Sequence, residues 1–239
     1  MISMNEILKR LEGRLIVSCQ AEEPEPLASP EMLTAMSRAA VLGGAAAIRS
    51  NLPQNVAAIH SALDVPVIGL YKKVYTDSEV YITPTLNEAK ALLETGCEII
   101  ALDATIRTRP FGEQLKDITA YIRSNSDVLL MADVSTLEDG LLAADMGFDM
   151  ISTTLSGYTK ETLDRAKTGR PDYGLLADLA RKFNGEIPVF AEGRIWTPED
   201  AVQAFQTGAF AVVVGSAVTR PQVITQRINE AVKKYQGKI

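Results

Sequence analysis

The stretch "PVFAEGRI", Pro188–Ile195, joins an apolar segment directly to a carboxylate, a glycine and an arginine. Seven other short apolar segments, rich in Val, Ile and Ala, recur along the chain. They cover residues 14–20, 45–50, 66–73, 98–105, 128–135, 150–157 and 211–218. Apolar strands without alternation are buried on both faces, as the strands of parallel sheets are. The sequence therefore predicts eight strands of a parallel sheet.

Helical patterns separate these segments, for example "TLNEAKALLETG" (85–96) and "TPEDAVQAFQTG" (197–208). Several begin with a Ser, Thr or Asp in the N-cap position and end at a glycine. Eight strands that alternate with helices in 239 residues favour a (β/α)8 TIM barrel, as one domain over residues 1–239. The alternative is a doubly wound open sheet, but no G-x-G-x-x-G sequence follows the first strand. An amphipathic pattern in "MISMNEILKRLEGRL" predicts an extra N-terminal helix.

Composition and charge restrict the class of function. A net charge of −6 and an isoelectric point near 5.0 argue against a nucleic acid or an anionic membrane as the partner. No apolar run approaches the ~20 residues of a membrane span, and the N-terminus lacks a secretory apolar region. Two distant cysteines, Cys19 and Cys97, do not form a disulfide framework. The sequence predicts a cytoplasmic enzyme or binding protein.

His60 is the only histidine, and it lies in a helical pattern. A metal site built from several histidines, or a catalytic triad, is therefore not expected, and we predict no metal. Acid–base chemistry falls to Lys, Asp, Glu or Tyr side chains.

Every predicted strand ends in polar residues. In a TIM barrel the carboxyl ends of the strands form the active-site face, so these side chains are expected to converge on one mouth. Such convergence favours an enzyme with a charged substrate over a purely structural barrel. The residues are Gln20, Arg49, Lys72, Lys73, Asp103, Asp133, Ser156, Glu192, Arg194 and Ser216.

The last two strands carry the features of a phosphate site. Gly193 and Arg194 follow the seventh strand, and Gly215 and Ser216 follow the eighth. Glycine allows the backbone N–H groups to approach an anion closely, and Arg220 adds a positive charge. The alternative is that these glycines serve only tight turns.

A lysine in this mouth is a candidate base or nucleophile. Burial and neighbouring cations both lower the pKa of a lysine, which suits a general base or a Schiff-base nucleophile. Lys72 and Lys73 should point to opposite sides of their strand, so only one of them faces the mouth. The strand pattern by itself leaves both open.

Glu192 is the candidate partner of that lysine. A carboxylate across the mouth from a lysine forms a two-sided pair for reversible proton transfer beside a carbonyl. The alternative is a structural ion pair between Glu192 and Arg49 or Lys72. Asp133 and Arg49 are expected to orient these groups.

Two loops carry further expectations. Residues 156–174 form the longest connection without helical periodicity, and both a mobile lid and a plain excursion fit it. Asp103 is expected to cap the loop that carries Arg107 and Arg109.

The segments quoted next point to one family. The chain resembles the N-acetylmannosamine-6-phosphate 2-epimerase family from about Gly13 to Pro221, with "AEGRI" and "STTLSGYT" as its specific motifs. The other matching segments are "GRLIVSCQA", "GGAAAIRSN", "PVIGLYKK", "SEVYITPT", "IIALDATIRTRP", "LLMADVSTLE" and "VVVGSAVTRP". Small departures are Ala47, where members often have glycine, and Trp196, where a small polar residue is common.

The resemblance implies a TIM barrel of bacterial sialic acid catabolism. Its members interconvert N-acetylmannosamine 6-phosphate and N-acetylglucosamine 6-phosphate without a redox cofactor. The family's catalytic residues fall on Lys72, rather than Lys73, and on Glu192, Arg49 and Asp133. Its substrate contact falls on Gln20, and its phosphate contacts fall on Gly193, Arg194, Gly215, Ser216 and Arg220.

We hypothesise that Lys72 removes the C2 proton of the open-chain sugar, with Asp133 and Arg49 holding Lys72 and the oxyanion. Glu192 would assist ring opening or protonate the opposite face. One lysine serving both faces and a lysine–glutamate relay remain alternatives. A Schiff-base aldolase and a phosphosugar-binding protein are the rival functions. The acidic, partly apolar helices also leave room for a homodimer.

Overall fold

The computed structural model describes residues 4–236, and its eight parallel strands close into a barrel. The strands are β1 (Leu15–Cys19), β2 (Ala47–Asn51), β3 (Val67–Leu70), β4 (Ile99–Asp103), β5 (Leu129–Asp133), β6 (Met150–Ser152), β7 (Val189–Glu192) and β8 (Ala211–Val214). β8 pairs with β1, with Leu15 opposite Val212, and this pairing closes the ring. The predicted TIM barrel is confirmed, and the doubly wound alternative is wrong.

Helices accompany the strands: the first comes before β1, and the others follow the strands around the outside of the barrel. They are α1 (Met4–Leu11), α2 (Pro30–Leu42), α3 (Pro53–Ala62), α4 (Leu86–Leu93), α5 (Leu115–Asn125), α6 (Leu137–Asp145), α7 (Leu163–Ala166), α8 (Tyr173–Phe183), α9 (Pro198–Gln206), α10 (Ser216–Thr219) and α11 (Pro221–Gln236). Short 3-10 helices cover Pro110–Gly112 and Lys160–Thr162. Residues 156–174 therefore contain two short helical segments, which the lack of periodicity did not predict.

Three helices begin with a capping box, in which the N-cap hydroxyl and the carboxylate three residues later bond each other's backbone N–H. The pairs are Thr85–Glu88, Thr136–Asp139 and Thr197–Asp200. Because a cap fixes the first residue of its helix, it also fixes where the preceding loop ends. Two of these loops follow β5 and β7, whose last residues are Asp133 and Glu192.

The barrel interior is filled by apolar side chains such as Ile16, Ile68 and Phe190. Ile7 and Leu11 of α1 pack into this same cluster and are buried. The backbone N–H of Gly13 donates to the carbonyl of Phe210 over 2.8 Å. The predicted N-terminal helix is thus confirmed, and it covers the amino-terminal end of the barrel.

α11 differs from the other long helices because none of its sixteen residues is buried. Ile228, Val232 and Tyr235 are exposed, and their spacings of four and three residues place them on one helix face. Among residues 4–236, no helix combines the length and apolarity that a membrane crossing requires.

We predict that Leu11→Ala destabilises the barrel by about 2–5 kcal/mol, because it leaves a cavity beneath the barrel core. Urea unfolding measures the change. Leu42→Ala is the matched control, since Leu42 is 90% exposed and should leave the unfolding midpoint unchanged. Equal midpoints for the two variants would contradict the role assigned to α1.

Candidate active site

A cavity of about 420 Å³ opens at the carboxyl ends of the strands. It brings together nine of the ten residues to which the sequence assigns a catalytic or substrate-binding role. They are Gln20, Arg49, Lys72, Glu192, Gly193, Arg194, Gly215, Ser216 and Arg220. Asp133 does not line the cavity, and neither do three other strand-end residues, Lys73, Asp103 and Ser156.

The pleat of each strand decides which side chains enter this cavity. Ala47 of β2 points into the barrel core, so Arg49, two residues later, also points inward. Leu70 of β3 points inward in the same way, which turns Lys72 towards the cavity. The same alternation explains Glu192, two residues after the inward-facing Phe190.

Arg49 is the buried centre of the site, with a side chain that is 1% exposed. Its guanidinium donates to both oxygens of Asp133, over 3.0 and 2.6 Å, and lies 3.1 Å from Oε2 of Glu192. Burial alone would lower the pKa of Arg49, but the two carboxylates raise it above its usual value. The site therefore holds a permanent positive charge at the wall of the cavity.

Glu192 shares the positive charge of Arg49 with Asp133. It contacts the guanidinium through one oxygen, whereas Asp133 contacts it through two. Burial raises the pKa of Glu192, Arg49 opposes the rise, and the charge of Asp133 adds to it. The hydroxyl of Thr154 lies 2.6 Å from Asp133 and 3.1 Å from Glu192. A hydroxyl has one hydrogen, so it can donate to only one of these carboxylates at a time. A proton on Glu192 would satisfy the second contact.

Lys72 lies across the cavity as a partly exposed amine. Burial lowers its pKa, Glu22 opposes this effect, and Arg49 strengthens it. Nζ of Lys72 lies 3.5 Å from Oε1 of Glu22. Lys73 instead lies outside the cavity, 3.1 Å from Glu88 and over the ring of Tyr75. The structure thus places Lys72 at the cavity and Lys73 outside it, a choice that the strand pattern left open.

Neither Asp133 nor Asp103 lines the cavity, although both end strands of the barrel. Asp133 is fully buried and contacts Arg49, whereas the carboxylate beside Lys72 is Glu22. Asp103 accepts from Arg107 over 2.7 Å, and its carbonyl accepts from Arg109. It holds the loop after β4, as expected, and does not reach the cavity.

Arg194 uses its donors on the 156–174 loop. Nε donates to the carbonyl of Arg170 over 2.7 Å, and Nη1 donates to the carbonyl of Ser156 over 2.6 Å. Its guanidinium also lies 5.8 Å from the ring of Tyr158, which lines the cavity. A Cβ on Gly157 would come within 2.6 Å of Nη1, so this close packing requires glycine. Arg194, which was expected to contact the phosphate, thus mainly holds the 156–174 loop in place.

The other phosphate candidates lie on the β7 and β8 loops. Gly193 has a φ of +110°, a conformation that glycine adopts without strain. Arg220 pairs with Glu25, which also accepts from Gln222 over 2.8 Å. Nε of Arg220 is buried without a hydrogen-bond partner among the described residues.

Trp196 lines the cavity beside these loops. The guanidinium of Arg227 stacks over its ring at 4.4 Å, so the tryptophan contacts the middle of α11 and packs it against the β7 loop.

Gln20 lines the cavity and carries an acceptor without a partner among residues 4–236. Nε2 donates to Ser18 over 2.8 Å, and Oε1 is buried without a partner in the described chain. Sequence reasoning missed Glu22, Asn51 and Thr154. Thr154 follows the inward-facing Ser152 by two residues, so strand alternation could have indicated it, whereas Glu22 lies on a loop and has no such signal.

Arg49→Met should destabilise the protein by about 3–5 kcal/mol, because it leaves two buried carboxylates without a counter-ion. The loss of stability should be smaller at acidic pH, because Glu192 takes up a proton there and needs no counter-ion. Urea unfolding from pH 5 to 8 measures this. Arg181→Met, which removes the exposed pair with Asp178, is the control and should have little effect. A loss of stability that is small, or that does not change with pH, would contradict the role of Arg49 as the counter-ion of Asp133 and Glu192.

The family model described as "Putative N-acetylmannosamine-6-phosphate epimerase" matches residues 33–234. A Listeria monocytogenes protein named "Putative N-acetylmannosamine-6-phosphate 2-epimerase" is 47% identical over 233 residues, which cover 97% of each chain. A Caldanaerobacter subterraneus protein of the same name is 48% identical over 230 residues, or 96% of this chain and 95% of that one.

The solved structure of the N-acetylmannosamine-6-phosphate 2-epimerase from Clostridium perfringens is also similar. Its TM-score is 0.90 at 46% sequence identity, and the match covers 96% of this chain and 97% of that chain. The matches to these relatives and to this structure cover nearly the whole of this chain. The chain therefore belongs to the N-acetylmannosamine-6-phosphate epimerase family.

Proposed function

We propose that the protein interconverts N-acetylmannosamine 6-phosphate and N-acetylglucosamine 6-phosphate, by removal and return of the proton at C2. One observation carries the proposal: a lysine with a lowered pKa and a glutamic acid with a raised pKa face the same cavity. Such opposite shifts assign a base and an acid in one site. The names of the relatives supply the substrate.

Ring opening comes first and uses Glu192 as the acid. The C1–O5 bond breaks, O5 takes the proton of Glu192, and the O1 hydroxyl gives its own proton to the resulting Glu192 carboxylate, so C1 becomes an aldehyde. The aldehyde makes the hydrogen at C2 acidic, because the negative charge that forms at C2 can move to the carbonyl oxygen. The raised pKa of Glu192 keeps its proton available for this step.

Lys72 then acts as the free-amine base. It takes the proton from C2, the C–H electron pair forms the C1–C2 double bond, and negative charge develops on O1. Arg49, whose charge is permanent, stabilises this oxyanion. Return of the proton to the opposite face of C2 gives the epimer. Asp133 takes part only through Arg49, as its buried counter-ion.

Binding groups that line the cavity orient the sugar. We assign the phosphate to the β7 and β8 loops, where Gly193, Gly215, Ser216 and Arg220 line the cavity. The unpartnered Oε1 of Gln20 is suited to accept from a sugar hydroxyl or the acetamido N–H. Arg194 contributes by holding Tyr158 and the 156–174 loop at the cavity edge.

Incubation of N-acetylmannosamine 6-phosphate in deuterium oxide, followed by NMR, tests the reaction. We expect the epimer to form with deuterium at C2. Lys72→Ala should lower the rate by about 10²–10⁴-fold, the usual contribution of a positioned base. Lys73→Ala is the matched control, and it should retain activity because Lys73 lies outside the cavity.

Two results would contradict this proposal. One is intact protein that exchanges no hydrogen at C2, as expected for a binding protein. The other is a borohydride-trapped adduct on Lys72, as expected for a Schiff-base aldolase. The hydrogen content of the epimer also separates the two proton-transfer routes. A single lysine that serves both faces returns part of the original hydrogen, whereas a lysine–glutamate relay introduces solvent deuterium alone.

We also propose a homodimer in the cytoplasm, with α11 as part of the contact. The support is a sixteen-residue helix that buries none of its own residues and exposes Ile228, Val232 and Tyr235 on one face. Light scattering after gel filtration should give twice the 25.9 kDa mass of the chain. The double variant Ile228→Lys, Val232→Lys should shift the mass towards one chain. A wild-type mass of one chain would overturn the proposal.

A further inference from the structure

We propose that Glu22, held in place by the buried amide of Asn51, is a positioning residue for the ammonium group of Lys72. This inference rests on the proposed function, in which Lys72 is the base. Glu22 lies on the β1–α2 loop, and the proposed reaction uses no charged residue of that loop.

Asn51 connects the lysine and the glutamate. It ends β2, and it is 1% exposed. Its Oδ1 accepts from the backbone N–H of Lys72 over 2.8 Å, and its Nδ2 donates to Oε1 of Glu22 over 2.8 Å. One buried amide therefore fixes both the backbone of Lys72 and the carboxylate oxygen that lies 3.5 Å from Nζ.

The charges around Lys72 make Glu22 its available counter-ion. Three charged groups act on the amine: Glu22 from the β1–α2 loop, Arg49 from β2 and Glu192 from β7. Glu192 lies 3.1 Å from Arg49, and the cation of Arg49 repels an ammonium. Glu22 therefore stabilises the ammonium that forms once Lys72 has taken the proton from C2, which makes the amine a stronger base.

The same loop offers a matched control. Glu25 lies three residues after Glu22 and also lines the cavity, but it pairs with Arg220. Glu22→Gln and Glu25→Gln remove the same charge from the same loop and keep the side-chain shape. In Glu22→Gln the amide oxygen can still accept from Asn51, so only the charge beside Lys72 is lost.

The experiment measures the pH dependence of Lys72 acylation by acetic anhydride, with fragment-ion mass spectrometry to separate Lys72 from Lys73. Removal of a nearby negative charge lowers the pKa of a lysine. We therefore expect the labelling midpoint of Lys72 to fall by about half a pH unit in Glu22→Gln. The shift should be smaller in Glu25→Gln, absent at Lys73, and reduced by added salt.

The pH profile of kcat/KM gives a second readout that a purely structural role would not move. The limb of the profile that Lys72 sets should shift to lower pH by the same amount in Glu22→Gln, since the weaker base loses its proton at lower pH. An unchanged midpoint, or an equal shift in Glu25→Gln, would overturn the role of Glu22. Because labelling needs no turnover, an inactive wild-type protein would refute the proposed function and still leave this result readable.

Discussion

The contact on which the site depends is the buried guanidinium of Arg49 between Asp133 and Glu192. Three strands, β2, β5 and β7, supply its members, so the barrel must close before the charges can meet. One cation cannot neutralise two carboxylates in a buried position. Burial, with the negative charge of Asp133 added to it, raises the pKa of Glu192. The contact that joins these three strands at the barrel mouth thus also includes the proposed acid, Glu192.

The charge of Arg49 also acts on Lys72 in the same cavity. Lys72 loses hydration and faces Arg49, and both effects lower its pKa, while Glu22 limits the decrease. Burial thus shifts the proposed base and the proposed acid in opposite directions, lowering the pKa of Lys72 and raising that of Glu192, whereas Arg49 lowers both. Arg194 and Arg220 use their charge differently, since each is held by partners on a neighbouring loop. They shape the edge of the cavity around the position proposed for the phosphate.

Much of this arrangement was predictable from sequence, because apolar strands and capped helices leave strong local patterns. All eight strands, the N-terminal helix and nine cavity residues follow from such patterns or from the resemblance. The contacts of Asp133 and Arg194 did not follow. Arg194 bonds carbonyls at residues 156 and 170, and no local pattern reports a partner so distant in the chain. Glu22 lies on a loop, where neither strand alternation nor helical periodicity indicates direction.

A crystal structure of Lys72→Ala with N-acetylmannosamine 6-phosphate tests the central claim most directly. The account predicts C2 beside the truncated side chain at residue 72, and the ring oxygen within ~3 Å of Glu192. It places the phosphate between Gly193 and Gly215. A phosphate bound near Glu22, or a ring oxygen turned away from Glu192, would contradict it.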